Sequence, residues 1–183
     1  MRVIAGMCRG KRLKSVKGLS TRPTADRVKE AVFNVLGSRI IEAKVLDLFG
    51  GTGNIGIEAL SRGAKFVYFV EKDRKAVQII KENVTWCNFN EKVEIYPVDC
   101  FKALKILKEK NIKFNLVYLD PPYKLLIIDD LLEEIAKTDL LDVNGIIIAE
   151  TAKNTELLSN FDHLNKVRED HYGDTKITYY QRN

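Results

Sequence analysis

The spacing of hydrophobic positions along this chain changes character near residue 40. Before it, Val28, Val32, Val35 and Leu36 recur at helical spacing, which predicts an amphipathic helix over 25–36 with Thr24 as N-cap and Gly37 as its stop. Residues 2–17 mix short apolar stretches with Gly and basic side chains, the pattern of a hairpin turning near Gly10. After residue 40, compact apolar runs at 44–49, 66–70, 92–98, 113–119 and 145–149 read as strands. Helices are expected between them at 57–61, 74–86, 101–110 and 126–137. A short helix should follow the fifth strand. Residues 166–171 and 176–181 then flank Tyr172-Gly173-Asp174 as a closing hairpin. Strands alternating with helices predict an α/β fold, Rossmann-like, with a mainly parallel sheet covered on both faces.

At 183 residues the chain fits one domain carrying an N-terminal extension over 1–40. No apolar run approaches the roughly 18 residues of a membrane-spanning helix. The start, Met1-Arg2, leads to no apolar signal segment. Cys8, Cys87 and Cys100 are scattered and odd in number, and His163 and His171 lie near no cysteine cluster. This argues against a disulfide framework and structural zinc, and for a cytoplasmic protein without a metal. No sustained apolar heptad is visible, so a monomer is expected. Charge is uneven. Residues 1–30 hold nine Lys/Arg against two Asp/Glu, a local net of +7, while the other 153 residues hold 21 against 23. Such asymmetry is the footprint of a polyanionic partner.

Two motifs carry chemistry. Gly51-Thr52-Gly53-Asn54-Ile55-Gly56 follows a strand and opens a helix. Its glycines let the backbone approach a ligand closely. Glu71 ends the next strand, twenty residues after Gly51, where an acid can accept ribose hydroxyls. Nicotinamide and flavin enzymes share this pattern, but Asp47, just before the loop, would repel a pyrophosphate. S-adenosylmethionine, with a ribose and an ammonium but no phosphate, suits the set better. Asp99, ending the third strand, could accept an adenine amino group or cap the following helix. Asp120-Pro121-Pro122-Tyr123 follows the fourth strand. Two prolines force the chain out of the sheet in a rigid turn. That turn offers a carboxylate, a carbonyl and an aromatic ring where open α/β sheets bind ligands. Such a set suits a planar base with an exocyclic amine.

These motifs together resemble the S-adenosylmethionine-dependent methyltransferases of exocyclic base amines. Arg2-Val3-Ile4-Ala5-Gly6, Arg9-Gly10-Lys11-Arg12-Leu13, Arg22-Pro23-Thr24 and Asp26-Arg27-Val28-Lys29-Glu30 narrow the resemblance to the RsmD family, over essentially the whole chain. Gly50 stands where that family often has Ala, and Tyr123 where it often has Phe. The resemblance implies a seven-stranded sheet, parallel except for an antiparallel last strand, preceded by a β-hairpin extension. It implies methylation of guanine N2 in 16S rRNA within a small-subunit particle. Asp120, Pro121, Pro122 and Tyr123 would be catalytic. Asp47, Phe49, Gly51, Gly53, Gly56, Glu71 and Asp99 would bind S-adenosylmethionine. Arg2, Arg9, Lys11, Arg12, Arg22, Thr24 and Arg27 would face RNA, with 41–183 as the methyltransferase domain. Adenine N6 as acceptor, a nicotinamide-dependent oxidoreductase and a non-catalytic RNA-binding module remain alternatives.

Overall fold

The computed structural model describes residues 1–15, 26–122 and 127–182. Arg22, Thr24 and Tyr123 lie outside the described residues. The short apolar runs become β1 (Lys44–Asp47), β2 (Phe66–Val70), β3 (Val93–Tyr96), β4 (Phe114–Leu119) and β5 (Leu141–Ala152). They pair in parallel, in the order β3-β2-β1-β4-β5. Val45, Leu46, Val117, Ile147 and Ile148 are buried because helices cover both faces. On one face lie α1 (Asp26–Leu36), α2 (Asn54–Ser61) and α3 (Arg74–Trp86). On the other lie α4 (Cys100–Glu109) and α5 (Ile128–Thr138). The strand order reverses between β1 and β4, so the carboxyl ends of these two strands open the crevice where such sheets take ligands.

The far half of the sheet departs from expectation. The whole sheet holds eight strands, completed by β8 (Thr175–Arg182), β7 (Leu164–Tyr172) and a two-residue β6 (Asn160–Phe161). The closing hairpin forms as β7 and β8, and β8 runs against both β5 and β7. The short helix expected after the fifth strand is replaced by a turn and β6. The β5 strand continues to Ala152 because β8 pairs with it from Ile146 onward. Leu157 and Phe161 stand four apart but reach the core from extended chain. Their segment's carbonyls go to tertiary donors: Leu157 to Lys166 Nζ (3.0 Å), Leu158 to the Tyr180 hydroxyl (2.7 Å), Ser159 to the Lys166 N–H (2.8 Å). A helix would need those acceptors for itself.

The N-terminal segment folds back on itself. Val3 donates to the Lys11 carbonyl (3.0 Å), Gly10 to that of Val3 (2.8 Å), and Arg2 pairs with Arg12 as an antiparallel bridge. Val3, Cys8 and Leu13 are buried in one core with α1, α2 and the sheet. Among the described residues, no helix is long and apolar enough to cross a membrane.

Candidate active site

The glycine loop is built by close backbone approach. Gly53 caps α2 with φ +81°, a left-handed conformation that favours glycine. Its N–H donates to the Gly50 carbonyl at 2.6 Å. At Gly56, a Cβ would stand 2.3 Å from Phe69 Cε1 and 2.7 Å from Val67 Cγ1, so α2 lies directly on β2. The helix begins at Asn54, inside the glycine motif, three residues earlier than its apolar run suggests.

Acids gather around this loop. Asp47, 2% exposed, accepts the Gly56 N–H at 3.1 Å. Burial pushes its carboxyl up to about 7; Gly56 opposes the shift and the Glu71 charge adds to it. Glu71 accepts the Gly51 N–H (2.9 Å) and the Asp73 N–H (2.8 Å), which ties the end of β2 to the loop. A carboxylate has about four acceptor positions, so these two bonds leave capacity for ribose hydroxyls. Asp99 is the N-cap of α4, accepting the Lys102 N–H at 3.0 Å. Capping engages Oδ1. Phe49 is half-buried against the α4/α5 core.

Across the switch point, β1 and β4 register Asp47 opposite Tyr118. Asp120 follows β4 half-buried, Pro121 is buried and Pro122 exposed. The Tyr118 hydroxyl donates to Glu150 on β5 at 2.8 Å, both side chains buried. Burial first, then the Glu150 and Asp120 charges, hold the Tyr118 phenol well above its usual range. Asp47, Glu71, Asp120 and Glu150 thus gather four carboxyl groups toward the carboxyl ends of β1, β2, β4 and β5. Tyr118 and Glu150 were not expected as site neighbours; Tyr118 sits in an apolar strand run and Glu150 directly after one.

The basic candidates are spread over the extension. Arg9, Arg12 and Arg27 are exposed. Arg2 bonds Asp26 at 3.1 Å. Lys11 donates to the Trp86 carbonyl at 2.8 Å. Arg27 lies close enough to Tyr172, at the turn beside the carboxyl end of β5, to act on its phenol; there burial and then Asp170 push the phenol up and Arg27 opposes them.

A buried polar seam that the sequence reading missed fastens this extension to the loop. Lys29 and Glu58 are both fully buried, 3.2 Å apart. Lys29 Nζ also donates to the Arg2 carbonyl (2.7 Å) and to Asn54 Oδ1 (2.6 Å). Burial lowers the Lys29 ammonium while the Glu58 charge opposes that shift. Glu58 further accepts the Ile4 N–H (2.7 Å), the Ala5 N–H (3.0 Å) and Arg62 Nε (2.7 Å). Asn83 on α3 completes the seam. It exchanges two hydrogen bonds with the Lys14 backbone (2.8 and 3.1 Å) and donates to the Thr52 carbonyl at 2.9 Å. One signal was present: Lys29 stands three and four residues before Val32 and Phe33, on the apolar stripe of α1.

A parallel β3-β2-β1-β4-β5 order closed by an antiparallel β8, with a glycine loop and an acid after successive strands, defines the Rossmann-like methyltransferases. Within that class, the family model described as conserved hypothetical protein 95 matches residues 1–181. The chain belongs to this family, that of the RsmD methyltransferases. YlbH of Bacillus subtilis (strain 168), named as a candidate rRNA methyltransferase, is 39% identical over 182 residues, 100% of this chain and 99% of that protein. Ribosomal RNA small subunit methyltransferase D of Escherichia coli (strain K12) is 38% identical over 151 residues, 82% of this chain and 71% of its own length. The solved structure of yhhF from Escherichia coli, described as a candidate methyltransferase, superposes with a TM-score of 0.87 at 30% identity. It covers 100% of this chain and 98% of that one.

Proposed function

We propose that this enzyme transfers a methyl group from S-adenosylmethionine to the exocyclic N2 of a guanine in 16S rRNA of the small ribosomal subunit. One observation carries the reading: Asp120 and the glycine loop flank the same switch point, at the ends of adjacent strands β4 and β1.

The donor set fits the cofactor. S-adenosylmethionine supplies a methyl group already activated on a sulfonium. Its sulfonium and ammonium suit a rim formed by Asp47, Glu71, Asp120 and Glu150, and a dinucleotide's pyrophosphate does not. Glu71 would take the ribose hydroxyls and Asp99 the adenine amine. Gly51, Gly53 and Gly56 would admit the ligand to the backbone, with Phe49 beside it.

Guanine N2 is a poor nucleophile because its lone pair is delocalised into the ring. The Asp120 carboxylate and the Pro121 carbonyl would accept its two N–H bonds. These acceptors orient the amine and stabilise positive charge growing on nitrogen. Pro122 stiffens the turn, and Tyr123 would stack on the base. A stacked, paired base cannot reach such a site, so the target nucleotide must be unpaired or flipped. Residues 1–40 form the RNA-facing part and 41–183 the catalytic part. Arg2, Arg9, Lys11, Arg12 and Arg22 would meet RNA phosphates, giving affinity without sequence information, and Thr24 and Arg27 would lie near the cofactor mouth or the flipped nucleotide.

The test is transfer of labelled methyl to small-subunit particles lacking the modification, with naked 16S rRNA and DNA alongside, followed by nucleoside analysis. N2-methylguanosine is the expected product. N6-methyladenine would keep the chemistry and overturn the acceptor.

A further inference from the structure

Trp86 is the single tryptophan of the chain and the last residue of α3. The helix buries Ala76, Val77, Ile80 and Val84 against the core, and Trp86 falls off that stripe, 59% exposed. An isolated exposed apolar residue needs no explanation. This one is distinguished by the basic extension laid beside it. Lys11 Nζ lies over the indole, 5.2 Å from the ring centroid, and is pinned there by the Trp86 carbonyl at 2.8 Å. One helical turn earlier on the same face, Lys14 Nζ meets Glu82 at 2.9 Å. Arg9 and Arg12, on either side of Lys11, are exposed. The Lys14 backbone is clamped by Asn83, three residues before Trp86, so hairpin and helix end hold a fixed relation. The chain therefore presents an exposed indole, backed on one face by Lys11, beside the segment that carries the whole positive excess. Stacking rings set among cations are how proteins hold single-stranded nucleic acid without reading its sequence.

We propose that Trp86 is a stacking platform for an unpaired RNA base, a second subsite separate from the active-site crevice, with Lys11 fixing the ring and Arg9 and Arg12 meeting the adjoining phosphates. This rests on residues 1–40 being the RNA-facing part. Because the chain has one tryptophan, its emission reports this subsite directly.

The experiment titrates the full chain at low salt with an unstructured oligoribonucleotide and with an abasic ribose-phosphate oligomer of equal length, reading both tryptophan emission and binding by anisotropy. Saturable quenching by the oligoribonucleotide and not by the abasic oligomer is expected. Trp86→Ala should weaken binding of the oligoribonucleotide about tenfold, and Trp86→Phe by less than about threefold. Both should leave S-adenosylhomocysteine affinity unchanged. RNA binding with unaltered emission, or full affinity in Trp86→Ala, overturns the platform alone. No RNA binding at all overturns the reading beneath it as well. Emission that changes with protein-bearing small-subunit particles and not with RNA also overturns it, in favour of a protein contact.

Discussion

Two buried acids, one within α2 and one at the loop that opens it, are treated in opposite ways. Glu58, on the side of α2 that meets the N-terminal segment, is surrounded by donors: Lys29, Arg62 and the N–H groups of Ile4 and Ala5. Asp47, at the loop that opens α2, accepts from Gly56 and faces a second carboxylate, Glu71. The first arrangement is complete within the protein and holds the extension in place. In the second, burial holds the proton on Asp47 up to about pH 7, and a cationic ligand would favour its ionised form. Buried charges need partners. At the seam the chain supplies them; at Asp47 and Glu71, on the proposed function, the cofactor's cation would add to the backbone donors already there.

The largest effect is expected at the seam. Lys29→Ala removes one of the two cationic partners of a fully buried carboxylate, Arg62 being the other, and with it the contacts to the Arg2 carbonyl and Asn54. A loss of about 3–5 kcal/mol in unfolding free energy is expected by urea denaturation. An unchanged midpoint would mean that the pair does not hold the extension. At the crevice the expected loss is in rate. Asp120→Ala should lower methyl transfer by about 10³-fold while leaving S-adenosylmethionine affinity nearly intact, measured by single-turnover kinetics and calorimetry. A fully active variant removes the proposed mechanism.

Gly56→Ala lies between the two regions. Its new methyl would meet the Phe69 ring at 2.3 Å, so α2 must move off β2. A cost of about 1–3 kcal/mol is expected in thermal unfolding, together with weaker cofactor binding because the loop shifts with the helix.

The smallest effect is the most specific to Asp47. Its carboxyl sits at about 7, raised from 3.8, so the folded protein keeps a proton that the unfolded chain releases. This contribution to stability is full below about pH 4 and is lost as pH rises through about 7. A bound cation favours the ionised form, so S-adenosylmethionine binding should release a proton and tighten with rising pH around 7. The gain is up to about tenfold for each unit by which the ligand lowers this carboxyl. Asp47→Asn should flatten both profiles, read by calorimetry in buffers of different ionisation enthalpy. A pH-independent affinity in the parent protein would mean that Asp47 does not face the cation.

Much of the candidate site was readable because its signals are local. A buried parallel strand is a short apolar run. The left-handed turn at Gly53 calls for glycine, and two prolines after β4 must turn the chain out of the sheet. These constraints act within a few residues, so Asp47, Gly51, Gly53, Gly56, Glu71, Asp99 and Asp120 could be picked out from spacing. The basic excess of the first thirty residues is likewise a property of composition.

What the chain order could not supply is which distant groups meet. Lys29 finds Glu58 twenty-nine positions away, Asn83 finds Lys14 and Thr52, and Tyr118 finds Glu150. Local pattern placed Lys29 on an apolar stripe but could not name its partner. The helix expected after β5 gave way to a turn and β6 for the same reason. Its carbonyls are claimed by Lys166 and Tyr180, residues that reach them when β7 and β8 close the sheet. Sequence alone therefore determined where backbone geometry is constrained and which residue types stand there. The tertiary structure decided which charged groups meet and which are buried, because burial and partner choice depend on contacts between segments far apart in the chain.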